Sequence, residues 1–90
     1  MTEKAQVILY SKPGCHLCDV MKREIQRADC AELFALAEVN IETDSDLLAR
    51  YRHEIPVLLI DGVEAFRYRV RSEEFRARLI EGGGKPTFPT

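Results

Sequence analysis

Two rhythms of apolar residues alternate along this chain, and the switches between them outline its elements. Gln6-Val7-Ile8-Leu9-Tyr10 is a nearly unbroken apolar run. Such a run predicts a strand over 6–10 buried on both faces, as in a parallel sheet flanked by helices. A turn over 11–14 follows, broken by Pro13-Gly14. From Cys15 or His16 to about Ala28, the residues Leu17, Met21, Ile25 and Ala28 recur at spacings of four and three, with Val20 beside them. That period predicts an amphipathic helix whose polar side carries Lys22, Arg23, Gln26 and Arg27. The basic residues gather late in it, where the negative end of the helix dipole favours them.

A second strand is expected over 34–41. Alanines dilute its β signal, and 33–38 fits a helical extension equally well until Val39-Asn40-Ile41-Glu42 restores alternation. Thr43 or Asp44 then caps a short helix that buries Leu47, Leu48 and Tyr51 and ends near 52–54. Ile55-Pro56 precedes a third strand over 57–60, and Asp61-Gly62 is a two-residue hairpin signal. The fourth strand, 63–70, alternates: Phe66, Tyr68 and Val70 point one way, Arg67, Arg69 and Arg71 the other. Ser72 caps a last helix with Glu73 and Glu74 in its first turn and Phe75, Leu79 and Ile80 facing inward; Gly82 stops it. The order is β-α-β-α-β-β-α. A right-handed crossover makes the first two strands parallel neighbours and the hairpin adds an antiparallel pair. The expected class is α/β, a four-stranded mixed sheet with helices on both faces.

Composition narrows this picture. Ninety residues suit one domain, expected over 1–82, with 83–90 as a flexible tail. Thirteen basic and 15 acidic residues nearly cancel to a net charge of -2, so no strong field favours nucleic acid. No apolar run approaches the ~20 residues that span a bilayer. The polar start lacks the basic flank and apolar core of a secretory leader. A cytoplasmic monomer is expected. In a reducing cytosol an odd count of 3 cysteines argues against a structural disulfide framework.

The chemistry gathers at Cys15-His16-Leu17-Cys18, between the first strand and the first helix. A C-x-x-C at such a junction reads as a redox motif. Unpaired N–H groups and the positive dipole end stabilise a thiolate on the first sulfur, and the second lies one turn on, on the same face. A free thiol of pKa ~8.5 is about 3% ionised at pH 7. Lowering the pKa to ~6 raises that to roughly 90%, with some loss of nucleophilicity per thiolate.

The element order, the cysteine pair and the proline opening the third strand resemble the thioredoxin fold. The short length and the lead-in Lys12-Pro13-Gly14-Cys15 look most like a glutaredoxin, and more narrowly like the small glutaredoxin-like proteins with C-H-L-C. The resemblance covers roughly 7–80. It implies Cys15 as the attacking and Cys18 as the resolving cysteine. It also implies Pro56 as a cis-proline facing the pair and Lys12 near the substrate thiol. A cis bond there would present the Ile55 backbone to an extended substrate segment. The chain departs from the usual glutaredoxin pattern at three places. His16-Leu17 replaces Pro-Tyr, Glu54-Ile55-Pro56 replaces Thr-Val-Pro, and Phe66-Arg67 stand near where a glycine pair is usual.

The expected function is a thiol–disulfide oxidoreductase acting on protein disulfides or glutathione mixed disulfides. It needs no bound organic cofactor and no metal, and glutathione serves as reductant or substrate. A redox-silent binding module and an iron–sulfur-bridged dimer are the alternatives. His16 either stabilises the thiolate when protonated or is an exposed bystander, and His53 reads as a loop residue. Cys30 reads as a small apolar core residue rather than a regulatory thiol. The arginine stripe reads as a solvated edge face, or as a docking surface for an acidic partner or glutathione carboxylates.

Overall fold

The computed structural model describes residues 4–81. The expected stop at Gly82 and the tail over 83–90 lie outside the described residues. Four strands, β1 (Ala5–Ser11), β2 (Phe34–Asn40), β3 (Val57–Ile60) and β4 (Val63–Arg67), form one sheet in the order β2-β1-β3-β4. Helices α1 (His16–Arg27), α2 (Ser45–Tyr51) and α3 (Ser72–Ile80) complete it. β1 pairs parallel with β2 and antiparallel with β3, and β3 pairs antiparallel with β4. This is the mixed α/β thioredoxin-like sheet with helices on both faces.

Alternation along the strands divides the core in two. Val7, Leu9, Leu58 and Ile60 meet Met21 and Ile25 of α1 and Phe75 and Leu79 of α3 on one face. On the other face Tyr10, Val57 and Leu59 meet Leu47, Leu48 and Tyr51 of α2. The alanine-rich segment becomes a strand because β1 pairs with it from Ala5↔Phe34 to Ser11↔Asn40. Pairing with a neighbour decides a segment whose own propensity is divided.

Local chemistry sets the ends. The Asp44 carboxylate caps α2, accepting from the Asp46 and Leu47 N–H groups at 2.9 and 3.2 Å. Asp61 and Gly62 both take positive φ (51° and 82°), as a two-residue turn matched to strand twist requires.

Three expectations are corrected. β4 ends at Arg67, not at Val70: Arg67 pairs with Val57, where β3 begins, and Tyr68 turns to φ 69° while the Arg69 N–H bonds the Arg67 carbonyl at 2.8 Å. The three arginines therefore do not form one strand face. Ser72 is the first residue of α3 rather than its cap; its N–H is satisfied by Glu24 Oε1 of α1 at 3.0 Å. Ile80 is exposed, because α3 buries the turn-spaced Phe75 and Leu79 and the next residue along rotates away.

Candidate active site

The turn between β1 and α1 builds the site. Gly14 takes φ 80°, a left-handed conformation that a side chain disfavours, and the Cys15 N–H closes the turn on the Lys12 carbonyl at 3.3 Å. Cys15 is then extended (φ -85°, ψ 105°) and forms the N-cap of α1. Its sulfur accepts a hydrogen bond from the Cys18 N–H at 3.1 Å. One of the N–H groups that α1 leaves unpaired thus points at the sulfur, and the helix dipole adds to it. Cys15 and Cys18 are joined in a disulfide with a Cα–Cα distance of 5.2 Å. The pair is asymmetric: Cys15 is half-buried, whereas Cys18 is only 2% exposed. A reagent from solution reaches Cys15 first.

Ile55 and Pro56 are buried, and the peptide between them is cis, as the resemblance implies. Cys18, Ile41, Tyr51, Ile55 and Val57 form one apolar cluster against which Cys15 packs. The chain segments around 15–18 and 55–57 are thereby brought together from distant parts of the sequence. Lys12, half-buried, lines a cavity of about 310 Å³ that also touches Cys18, Asp19, Lys22 and Glu38. His16 is exposed at the start of α1 and borders a different groove.

Two features escaped the sequence reading. Buried Ser11 donates to Glu38 Oε2 at 2.7 Å, and Lys22 meets the same carboxylate at 3.3 Å, beside Cys18. The hydrogen bond to Glu38 raises the Lys22 pKa above the usual lysine value. Secondly, Leu17 and Val20 do not join the buried stripe of α1. Cys18, Met21, Ile25 and Ala28 fill it, and Leu17 and Val20 remain 39% and 37% exposed along the groove that His16 borders. An exposed apolar pair beside a C-x-x-C was the available signal.

The arginines separate. Arg67 is held by Glu54 and Glu64, which ties β4 to the residue preceding Ile55. Arg69 and Arg71 line the groove. His53 is an exposed loop residue whose carbonyl accepts from the Tyr68 hydroxyl at 3.4 Å.

Cys30 is 1% exposed in the main core, where burial raises its thiol pKa. The folded chain therefore holds that proton more tightly than the unfolded one. This makes no difference below the ordinary thiol range, and stability falls as pH rises through it. Alkylation at pH 8 is expected to spare Cys30 in the native protein and label it only in denaturant, read by peptide mass mapping. Native labelling at the rate of a free thiol would contradict its placement in the core.

No curated protein matches the sequence. A family model, the glutaredoxin-like domain (DUF836), matches residues 6–80. Among solved structures, the X. campestris protein XcR50 is 29% identical with a TM-score of 0.71, covering 82% of this chain and 95% of that one. Protein Ne2328 from Nitrosomonas europaea is 26% identical with a TM-score of 0.72, covering 86% of this chain and 93% of that one. A mutant of the thioredoxin-like protein BC3987 shares the fold at 19% identity and a TM-score of 0.52, over 70% of this chain and 82% of that one. The family match spans the sheet, the three helices and the cysteine pair, and the chain belongs to the glutaredoxin-like family of thioredoxin-fold proteins.

Proposed function

We propose that the chain is a thiol–disulfide oxidoreductase that works through both cysteines. The observation that supports this most is the paired geometry at the start of α1. A half-buried sulfur with an N–H aimed at it is bonded to a buried sulfur one turn on.

In the reduced protein, the Cys15 thiolate attacks one sulfur of a substrate disulfide. The substrate S–S bond breaks, its second sulfur leaves as a thiolate and takes a proton, and a mixed disulfide links Cys15 to the substrate. The Cys18 thiol loses its proton and attacks Cys15 Sγ. The mixed disulfide breaks, the substrate leaves as a second thiol, and the Cys15–Cys18 disulfide forms. Two electrons have passed from the pair to the substrate. A thiol donor, glutathione or a dithiol protein, reverses these steps and restores the pair.

Lys12 and the helix end favour the thiolate electrostatically. The Ile55 backbone beside Pro56 offers an extended substrate segment a strand-like partner. The exchange is complete with sulfur chemistry alone and calls for no bound organic cofactor.

The test is a trap. Cys18→Ser removes the second attack, so incubation of the reduced variant with a disulfide peptide is expected to accumulate a stable one-to-one adduct on Cys15, seen as a mass increase of one peptide thiol. An adduct confined to Cys30, or none, would exclude the mechanism.

A further inference from the structure

The groove beside the cysteine pair has a composition that names a substrate class. It has a volume of about 540 Å³. Met21 and Val70, 1% and 6% exposed, form its floor, and the exposed Leu17 and Val20 form an apolar wall. Its lining on α1 runs from His16 to Glu24, ~12 Å at 1.5 Å per residue. His16 and Leu17, the two residues between Cys15 and Cys18, line one end of the groove, so it begins at the cysteine motif.

The charges are one-sided. Arg69 and Arg71 line the groove, both exposed, and neither has an ion-pair partner among the described residues. Arg67, two positions earlier, is occupied by Glu54 and Glu64 on the strand. The one carboxylate in the groove, Glu24, is engaged by the Ser72 N–H at 3.0 Å and by Arg27 at 3.1 Å. The turn at Tyr68 is what separates Arg69 and Arg71 from Arg67. What remains for a partner is two cations beside aliphatic surface.

We infer that this groove docks a protein substrate through an acidic segment bearing aliphatic side chains next to the disulfide to be reduced. The inference rests on the proposed exchange activity and specifies its substrate. Acidic groups answer Arg69 and Arg71, and aliphatic groups cover Leu17 and Val20. Glutathione fits less of it: its two carboxylates answer the arginines, but it has no aliphatic side chain for the wall.

Docking is measured without chemistry by fluorescence anisotropy. The probes are a labelled peptide with Glu and Leu around a serine, and its counterpart with Lys in place of Glu. The wild-type chain is expected to bind the acidic peptide at least about tenfold more tightly, and Arg69→Glu with Arg71→Glu to remove that preference, as two oppositely charged rim contacts imply. Turnover is then compared on the disulfide-linked versions of both peptides with cysteine in place of the serine, with a small dithiol as reductant. The kcat/KM ratio is expected to follow binding, while the neutral disulfide of 2-mercaptoethanol is reduced equally by the wild type and the double variant.

Equal binding of the two peptides, or a preference that survives charge reversal, overturns the inference. Displacement of the acidic peptide by millimolar glutathione assigns the groove to glutathione and also overturns it. Failure of the wild type to reduce even the neutral disulfide removes the proposed activity instead, and the anisotropy result still decides whether the groove docks acidic segments.

Discussion

Replacing Cys15 with serine is expected to lower disulfide reduction by at least about a thousandfold, because the exchange loses its only nucleophile accessible from solution. A serine hydroxyl is not ionised near neutral pH and forms no disulfide, so neither the mixed disulfide nor the Cys15–Cys18 bond can arise. Folding is expected to survive, since Cys15 is half-buried and lies at the margin of the smaller core cluster. Cys18→Ser is expected to act differently. It retains the first attack and loses the second, so single-turnover adduct formation persists while steady-state turnover through the pair stops. Insulin reduction read by turbidity, beside a single-turnover mass measurement, separates the two. Wild-type turnover by Cys15→Ser, with its thermal transition unchanged, would remove the catalytic assignment.

Phe75→Ala is expected to cost about 3–5 kcal/mol of folding stability, the range for a fully buried aromatic reduced to alanine. Phe75 is 0% exposed and belongs to the larger cluster. Its ring meets Phe34 edge to face, centroids 5.1 Å apart. It therefore fastens α3 to the start of β2, an edge strand whose outward residues bury little. Small domains hold roughly 5–15 kcal/mol in all, so the loss takes a large share of the total. Phe34→Ala is expected to cost less, because Phe34 is only half-buried. Urea unfolding followed by circular dichroism measures both. A Phe75→Ala midpoint within error of the wild type would show that α3 does not depend on this contact.

These two residues mark two routes from sequence to structure. Cys15 was legible because the signals that place it at a helix start are local: an apolar run, a Pro-Gly turn and a helical period within about ten positions; the Ile41, Tyr51, Ile55 and Val57 side chains of the cluster it packs against come from remote segments. Phe75 was legible as an inward residue by its spacing to Leu79, but its partner across the core was not. Phe34 stands in an alanine-rich segment whose propensity is divided, and only pairing with β1 made it a strand. The arginine stripe shows the opposite failure. Strict alternation over 63–70 continued a strand that the chain had already ended at Arg67. The turn at Tyr68 carried Arg69 and Arg71 to the groove beside α1.

By itself the sequence determined the Asp61-Gly62 turn, a helix start at Thr43 or Asp44 and the placing of a cysteine pair between the first strand and the first helix. Each depends on neighbours along the chain, whose steric and hydrogen-bonding preferences act over one or two turns. Only the tertiary structure decided that Glu38 meets Ser11 across 27 positions, that Glu24 caps α3 across 48, and that, among the described residues, Leu17 and Val20 stay exposed beside two arginines without an ion-pair partner. Those contacts exist because the sheet brings remote segments within a few ångströms, and no local preference encodes which of them will meet. The position of the cysteine pair along the chain thus follows short-range rules, and the surfaces around it are a product of packing.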